Sequence, residues 1–270
     1  MKLTWQELID SNRNHIYLIG YGSLLNYRTH HNKHTDLTPV LAHGFERIYN
    51  IAYTPKMIKE RLDKFQSYAD FSFEDFNLIP NRLNYENNSG ALNIIHNNHR
   101  KFNGLMFKIY RDEFQSYADR ENLYHLEKIE YDFLNPQTGE ILNKEKVEAF
   151  VVVGMEEHFD IKPPYYLYEK ACRNGAYEIG TEFGKIYDKT TFYNGNYVYK
   201  YILKQFFPIN SLVNVSNIIN TIGKFPGEKD ILIKYSYKNA RVKGYYDSNV
   251  ELLFDDGNTV FFDMGDLSLI

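Results

Sequence analysis

Tyr21-Gly22-Ser23-Leu24-Leu25 follows directly on the apolar run Ile16-Tyr17-Leu18-Ile19-Gly20. An apolar strand that runs into a turn of small residues leaves backbone N–H groups pointing outward, because Gly22 and Ser23 put no bulk in the way. Such a turn suits an anionic or carbonyl group. Three other features carry chemistry by residue type. His30, His31 and His34 include a pair four apart that a helix would bring together on a metal, but no third ligand of matching character adjoins them, and a solvated loop is expected. Cys172 is the only cysteine, so no intrachain disulfide or thiolate cluster can form, which suits a reducing cytosol. It lies in a helical pattern and reads as a small buried hydrophobe rather than a nucleophile. Gly20-Tyr21-Gly22 lacks the third glycine and the βαβ surroundings of a dinucleotide-binding turn.

The rest of the chain must position these groups. Its 270 residues are 43% hydrophobic and 16% aromatic, with 24 Tyr and 19 Phe, enough for a packed core and against disorder over most of the length. A formal net charge of -4 gives no electrostatic reason to expect nucleic acid or an anionic membrane as partner. No apolar stretch approaches bilayer length, and the N-terminus has no long apolar run, so a cytoplasmic protein is expected.

Thr4-Trp5-Gln6-Glu7 fits a capping box that opens a short helix with Trp5, Leu8 and Ile9 on one face. Ile16 to Gly20 and Val40 to Tyr53 read as strands. Residues 54–88 read as an insertion, a lid or a surface excursion, ending in Asn87-Asn88-Ser89-Gly90. Phe65-Gln66-Ser67-Tyr68-Ala69-Asp70 recurs word for word at Phe114 to Asp119, and one hexapeptide does not make a repeat architecture. Ala91 to Ile95 and Phe102 to Tyr110 read as two antiparallel strands around a turn at Asn97-Asn98-His99. Asp112 is expected to cap a helix over 113–120, which puts Glu121 at an element boundary. Strands are expected near Tyr124 to Tyr131 and Val147 to Val153. Helices are expected from Pro163-Pro164 to about Glu178, through Phe183 and Tyr187, and over Tyr199 to Phe207. Residues 210–228 read as a linker, and 229–270 as a small SH3-like or Tudor-like module of four short strands.

These segments together resemble one family. Tyr21-Gly22-Ser23-Leu24-Leu25, Gly44-Phe45-Glu46-Arg47-Ile48-Tyr49-Asn50, Ala91-Leu92-Asn93-Ile94 with Asn103-Gly104-Leu105-Met106-Phe107, Arg120-Glu121-Asn122-Leu123-Tyr124, and Pro164 to Tyr168 with Gly175-Ala176 are similar in order and spacing to the γ-glutamylcyclotransferase-like superfamily. The resemblance covers about residues 15–205. It implies an α+β fold, with a mixed barrel-like sheet surrounded by helices in residues 1–209. By the same resemblance Tyr21, Gly22, Ser23 and Leu24 bind a γ-glutamyl group, Glu121 is the catalytic acid/base, and Tyr124 and Tyr168 line the pocket. The implied reaction is attack of the substrate's α-amine on its own γ-carbonyl, releasing an amine and 5-oxoproline without metal or cofactor. Asn122 stands where the family usually has glycine, and Asn tolerates positive φ better than most residues.

The chemistry makes its own demands. An α-ammonium is no nucleophile, so a base must take its proton and the leaving amine must receive one. A single carboxyl serves both steps if burial brings its pKa toward neutrality. The developing oxyanion needs preorganised donors, and the N–H groups around Gly22-Ser23-Leu24 are candidates for that or for a substrate carboxylate. Arg47 either pairs with a carboxylate inside the barrel or sits at the surface. A different function class stays open: a non-catalytic ligand- or protein-binding member of the fold, with the C-terminal module as its interaction surface. Nucleic-acid association through Lys229, Lys234, Lys238, Arg241 and Lys243 is opposed by Asp255, Asp256 and Asp263 in the same module.

Overall fold

The computed structural model describes residues 2–26, 36–52 and 90–270. The expected insertion over 54–88, the first copy of the hexapeptide, and His30, His31 and His34 lie outside the described residues. In the larger unit the elements run β1 (Lys2–Leu3), α1 (Trp5–Asp10), β2 (His15–Gly20), β3 (Thr38–Ala52), β4 (Gly90–Tyr110), α2 (Phe114–Arg120), β5 (Tyr124–Ile129), β6 (Tyr131–Leu134), β7 (Ile141–Leu142) and β8 (Ala149–Gly154). They continue with α3 (Tyr166–Ile179), α4 (Thr181–Thr190), β9 (Thr191–Tyr193), β10 (Asn196–Tyr197) and α5 (Val198–Phe206). The strands form one ten-stranded sheet along the path β1-β5-β8-β2-β4-β3-β6-β7, with β9 on β3 and β10 on β9. It is mixed: β2 with β8 and β3 with β9 are parallel. This is the expected α+β class.

Local sequence explains most of these elements. Thr4 caps α1, and its hydroxyl and Glu7 satisfy each other's backbone N–H in a reciprocal capping box. Every residue of β8 is buried, consistent with a strand in the sheet interior between β5 and β2. Two expectations are corrected. Ala91 to Ile95 and Phe102 to Tyr110 do not pair with each other; both belong to β4, a single strand of 21 residues. The polar middle stays extended because β3 runs alongside it, pairing from Thr38 opposite Met106 to Ala52 opposite Gly90. The irregularities fall instead in β3, at Gly44, where φ is +82°, and between Tyr49 and Ile51. Asp112 does not cap a helix over 113–120; it lies in a 3-10 turn, Arg111–Glu113, and the α-helix starts at Phe114.

The C-terminal part comprises β11 (Leu212–Val215), α6 (Ile219–Lys224), α7 (Lys229–Tyr235), β12 (Asn239–Tyr246), β13 (Asn249–Leu253), β14 (Thr259–Asp263) and β15 (Leu267–Leu269). Its strands form a second, wholly antiparallel sheet in the order β14-β13-β12-β11-β15. The stretch expected as a linker therefore holds a strand and a helix. β11 lies between β12 and β15, with Val213 and Val215 fully buried. α6 is started by a distant acid: Asp266 accepts from Asn220 N (3.1 Å), Thr221 N (2.7 Å) and Thr221 Oγ1 (2.6 Å). The N-cap residue, Ile218, has no side-chain acceptor, and the local contribution is Asn217 Oδ1, which accepts from Ile219 N at 3.1 Å.

The two sheets share one connected core, which runs from Leu8 and Leu18 to Val213, Leu232 and Phe262. A buried ionic network crosses between them. Arg173 of α3 donates to both carboxylate oxygens of Asp188 in α4 and both of Asp263 in β14, at 2.5 to 2.9 Å. Lys224 of α6 also donates to Asp263, at 2.5 Å.

Candidate functional site

β2 delivers its last residue, Gly20, into a single 3-10 turn, Ser23–Leu25. The turn closes on itself through Leu25 N to Gly22 O (2.9 Å) and Asn26 N to Ser23 O (3.1 Å). Its own bonds thus use the N–H groups of Leu25 and Asn26 and leave out those of Gly22 and Ser23. The turn is held from below: Leu24 and Leu25 are buried, and a Cβ on Gly20 would lie 2.4 Å from Leu24 Cβ. Gly175 of α3 abuts Asn26 so closely that a Cβ there would lie 2.8 Å from the Asn26 backbone.

Glu121 ends α2 as its C-cap residue. Its carboxylate lies 2.9 Å from Arg120 Nε, with 12% of the side chain exposed. Arg120 Nη2 in turn donates to Ser23 Oγ at 3.2 Å. One guanidinium thus spans the turn and the carboxylate, across 97 positions of sequence. Tyr124 opens β5; its N–H donates to Glu121 O (3.0 Å) and its hydroxyl to Leu92 O (3.0 Å). Leu92 itself borders Gly22, 3.8 Å from where a Cβ would stand. Tyr168 comes from α3, and a Cβ on Gly22 would lie 2.5 Å from its hydroxyl oxygen. Gly22, Ser23, Glu121, Tyr124 and Tyr168 are therefore neighbours around one turn. Tyr21 and Leu24 contribute differently: both side chains are buried, Tyr21 edge-on to Phe102 with ring centroids 5.6 Å apart.

Arg47 does neither of the things expected of it. It is fully buried, but its bonds go to Tyr21 O (3.1 Å), Asn103 O (3.0 Å), Asn103 Oδ1 (2.8 Å), Thr190 Oγ1 (2.9 Å) and, at the limit, Tyr187 O (3.5 Å). It also stacks on the Tyr187 ring, 4.1 Å from its centroid. Burial lowers its pKa. Its place at Tyr21 O makes it an anchor for the strand end that precedes the turn.

Sequence reading missed Glu169, the residue after Tyr168. It is buried, and one of its oxygens accepts from Tyr49 Oη (2.5 Å) and Tyr187 Oη (2.8 Å). Burial pushes its carboxyl up to about 7 despite both hydrogen bonds. A glutamate on the inward stripe of a helix, among Ala171, Cys172 and Ala176, is the only signal the sequence offers. Among the described residues, no group of three or more His, Cys, Asp and Glu side chains is gathered for a metal ion, and no helix is long and apolar enough to cross a membrane.

No family model and no curated protein matches the chain. Among solved structures it is similar to a gamma-glutamyl cyclotransferase at 12% identity, over 61% of this chain and 79% of that one, with a TM-score of 0.39. It is similar to YkqA from Bacillus subtilis at 14% identity, over 67% of this chain and 55% of that one, with a TM-score of 0.42. A gamma-glutamyl cyclotransferase specific to glutathione, from yeast, matches at 11% identity, over 71% of this chain and 87% of that one, with a TM-score of 0.33. Two of these three carry the activity name that the sequence motifs resemble. At identities of 11 to 14%, function has to be read from the site's own atoms.

Proposed function

We propose that this chain is a γ-glutamylcyclotransferase-type enzyme, which cyclises a γ-glutamyl amine or peptide to 5-oxoproline and releases the amine. The observation that carries this reading is the Arg120 bridge, 3.2 Å from Ser23 Oγ on one side and 2.9 Å from Glu121 Oε1 on the other. It ties the turn that carries the Gly22 and Ser23 N–H groups and the Glu121 carboxylate to one guanidinium, which supports a reading in which donors and a proton-transferring carboxyl act together in intramolecular acyl transfer.

In this reading the Glu121 carboxylate takes a proton from the substrate's α-ammonium. The freed nitrogen attacks the γ-carbonyl carbon, forming the ring N–C bond and placing negative charge on the carbonyl oxygen. The N–H groups of Gly22 and Ser23 stabilise that oxygen or hold the substrate carboxylate. Collapse breaks the bond to the leaving nitrogen, which receives the proton Glu121 took. The ring nitrogen sheds its second proton to the same carboxylate, which passes it to the departing amine, so that the products are the neutral lactam and an ammonium. The carboxylate is restored and no outside reactant is consumed. Tyr168 and Tyr124 shape the pocket around the γ-glutamyl group.

The test is release of 5-oxoproline from a panel of γ-glutamyl amines and peptides by the full chain and by Glu121→Gln. A carboxyl that moves protons in both steps contributes about 10² to 10⁴ in rate, so Glu121→Gln should lose at least a hundredfold while unfolding at the temperature of the parent. Unchanged turnover in Glu121→Gln would overturn the assignment. Binding of the panel without any release by the parent would favour the non-catalytic alternative.

A further inference from the structure

Glu169 supports the turn by two routes that meet at Gly22. On one side Tyr49, hydrogen-bonded to Glu169, packs edge-on against Tyr168 with ring centroids 6.3 Å apart. The Tyr168 hydroxyl in turn lies over Gly22, 2.5 Å from where a Cβ would stand. On the other side Tyr187, hydrogen-bonded to the same carboxylate oxygen, is the ring on which Arg47 stacks, and Arg47 holds the carbonyl of Tyr21. All of these side chains are buried, so a shift of either tyrosine hydroxyl is passed on rather than absorbed by solvent.

We infer that Glu169 is a positioning residue for the Gly22-Ser23 turn, and that its ionised form, by tightening the bonds from Tyr49 and Tyr187, holds the turn in its ligand-binding geometry. Charge-assisted hydrogen bonds are shorter and roughly twice as strong as neutral ones, so the clamp should grip harder once the proton leaves. The groups that face the carboxyl are Arg47 and Tyr49 from β3, Tyr187 and Asp188 from α4, and Cys172 and Arg173 from α3 itself. Arg173 is committed to Asp188 and Asp263, which leaves the two hydroxyls as the donors bonded to Glu169. The carboxyl's value of about 7 puts the change near neutral pH. The inference rests on the turn being the ligand site, and its test has a part that does not need turnover.

That part follows the backbone amide resonances of Gly22 and Ser23, with the side-chain carboxyl of Glu169, through a pH titration of the full chain. A Glu121→Gln background removes the direct effect of the neighbouring carboxylate. The turn amides should show an inflection near pH 7 that coincides with Glu169, and Glu169→Gln should abolish it. Tyr49→Phe, which removes one donor and keeps the carboxyl, should move both inflections to higher pH together. Turn amides that titrate flat while Glu169 titrates, or that keep their inflection in Glu169→Gln, would overturn the inference. In the activity assay, KM for a γ-glutamyl substrate should fall severalfold as pH rises through 7 in the parent and stay level in Glu169→Gln, with kcat less affected. A parent without turnover defeats the proposed activity, and the amide titration still decides the role of Glu169.

Discussion

Arg173 Nη1 donates to Asp263 Oδ1 at 2.5 Å, although the two residues stand 90 positions apart and belong to different sheets' surroundings. The helix that carries Arg173 also carries Tyr168 and Gly175, both of which back the Gly22 turn. Lys170 of the same helix donates to Leu267 O at 3.0 Å. The C-terminal sheet is thus fastened to the helix that shapes the site.

Removing one member of that network should be costly. Asp263→Ala leaves Arg173 and Lys224 buried with their shared acceptor gone, and breaking a buried pair in this way costs about 3 to 5 kcal/mol. For a chain of this size that lowers the unfolding temperature by roughly 10 °C. Deleting residues 225–270 should leave no cooperatively folded core, because the apolar core is shared between the two sheets. Differential scanning calorimetry of the point variant and far-UV circular dichroism of the truncated chain check both outcomes. A truncated chain that melts cooperatively at the parent temperature would show the network to be dispensable.

The contrast between what could and could not be read from residues is physical. β2, β8 and α3 are legible because apolar runs, or apolar spacing bounded by prolines and Gly180, act locally. β4 is not: its polar middle, Asn97-Asn98-His99, has turn composition, and only the partner strand β3 keeps it extended. β11 and α6 hide for a related reason, since Val213, Val215 and the Asp266 cap are set by contacts some 45 to 55 residues away. At the site, Gly22, Ser23, Glu121 and Tyr168 could be named from motif order. Arg47 stays open between the barrel interior and the surface, and Glu169 is passed over, because the partners that make their burial tolerable, Asn103 and Thr190 for the one and Tyr49 and Tyr187 for the other, lie far away in sequence.

Cys172 gives a simple probe of that burial. Desolvation pushes its thiol pKa well up, and nearby Glu169 adds to the effect. A thiolate is the reactive species, so the native chain should resist an aromatic disulfide reagent at pH 8 over hours and react at once in denaturant. Rapid stoichiometric labelling of the native chain would mean that the helix opens near Tyr168.

Gly22 and Tyr168 should be energetically coupled. A methyl group on residue 22 falls 2.5 Å from the Tyr168 hydroxyl, inside contact distance, so Gly22→Ala must displace that ring or the turn. Tyr168→Phe removes the obstructing oxygen. Singly, each substitution should weaken binding of a γ-glutamyl ligand; together they should cost less than the sum, with a coupling of about 0.5 to 3 kcal/mol. Isothermal titration of the four proteins measures the cycle, and strict additivity would separate the two residues.

The buried acid that positions the turn also sets a pH dependence of stability whose sign is fixed by its direction. Glu169 has an ordinary value of 4.5 and is raised to about 7 in the folded chain, so between those limits the folded state holds a proton that the unfolded state has released. Stability from this group is complete below 4.5 and is lost as pH rises through 7, for a total of about 3 kcal/mol. Asp266 acts in the same sense between 3.8 and about 6, raised by burial and then by Asp263. Asp263 acts oppositely: burial works against its charge, but Arg173 and Lys224 hold its value well down. Its contribution is present above the ordinary 3.8 and disappears in stronger acid. The parent minus Glu169→Gln difference isolates the first group: denaturant unfolding should favour the parent increasingly as pH drops from 8 to 5. A difference that is level across that range would mean that Glu169 is charged in the folded chain throughout. The same ionisation that weakens the fold above neutrality is the one that strengthens the grip on Tyr49 and Tyr187, so stability and ligand affinity should move in opposite directions through one titration.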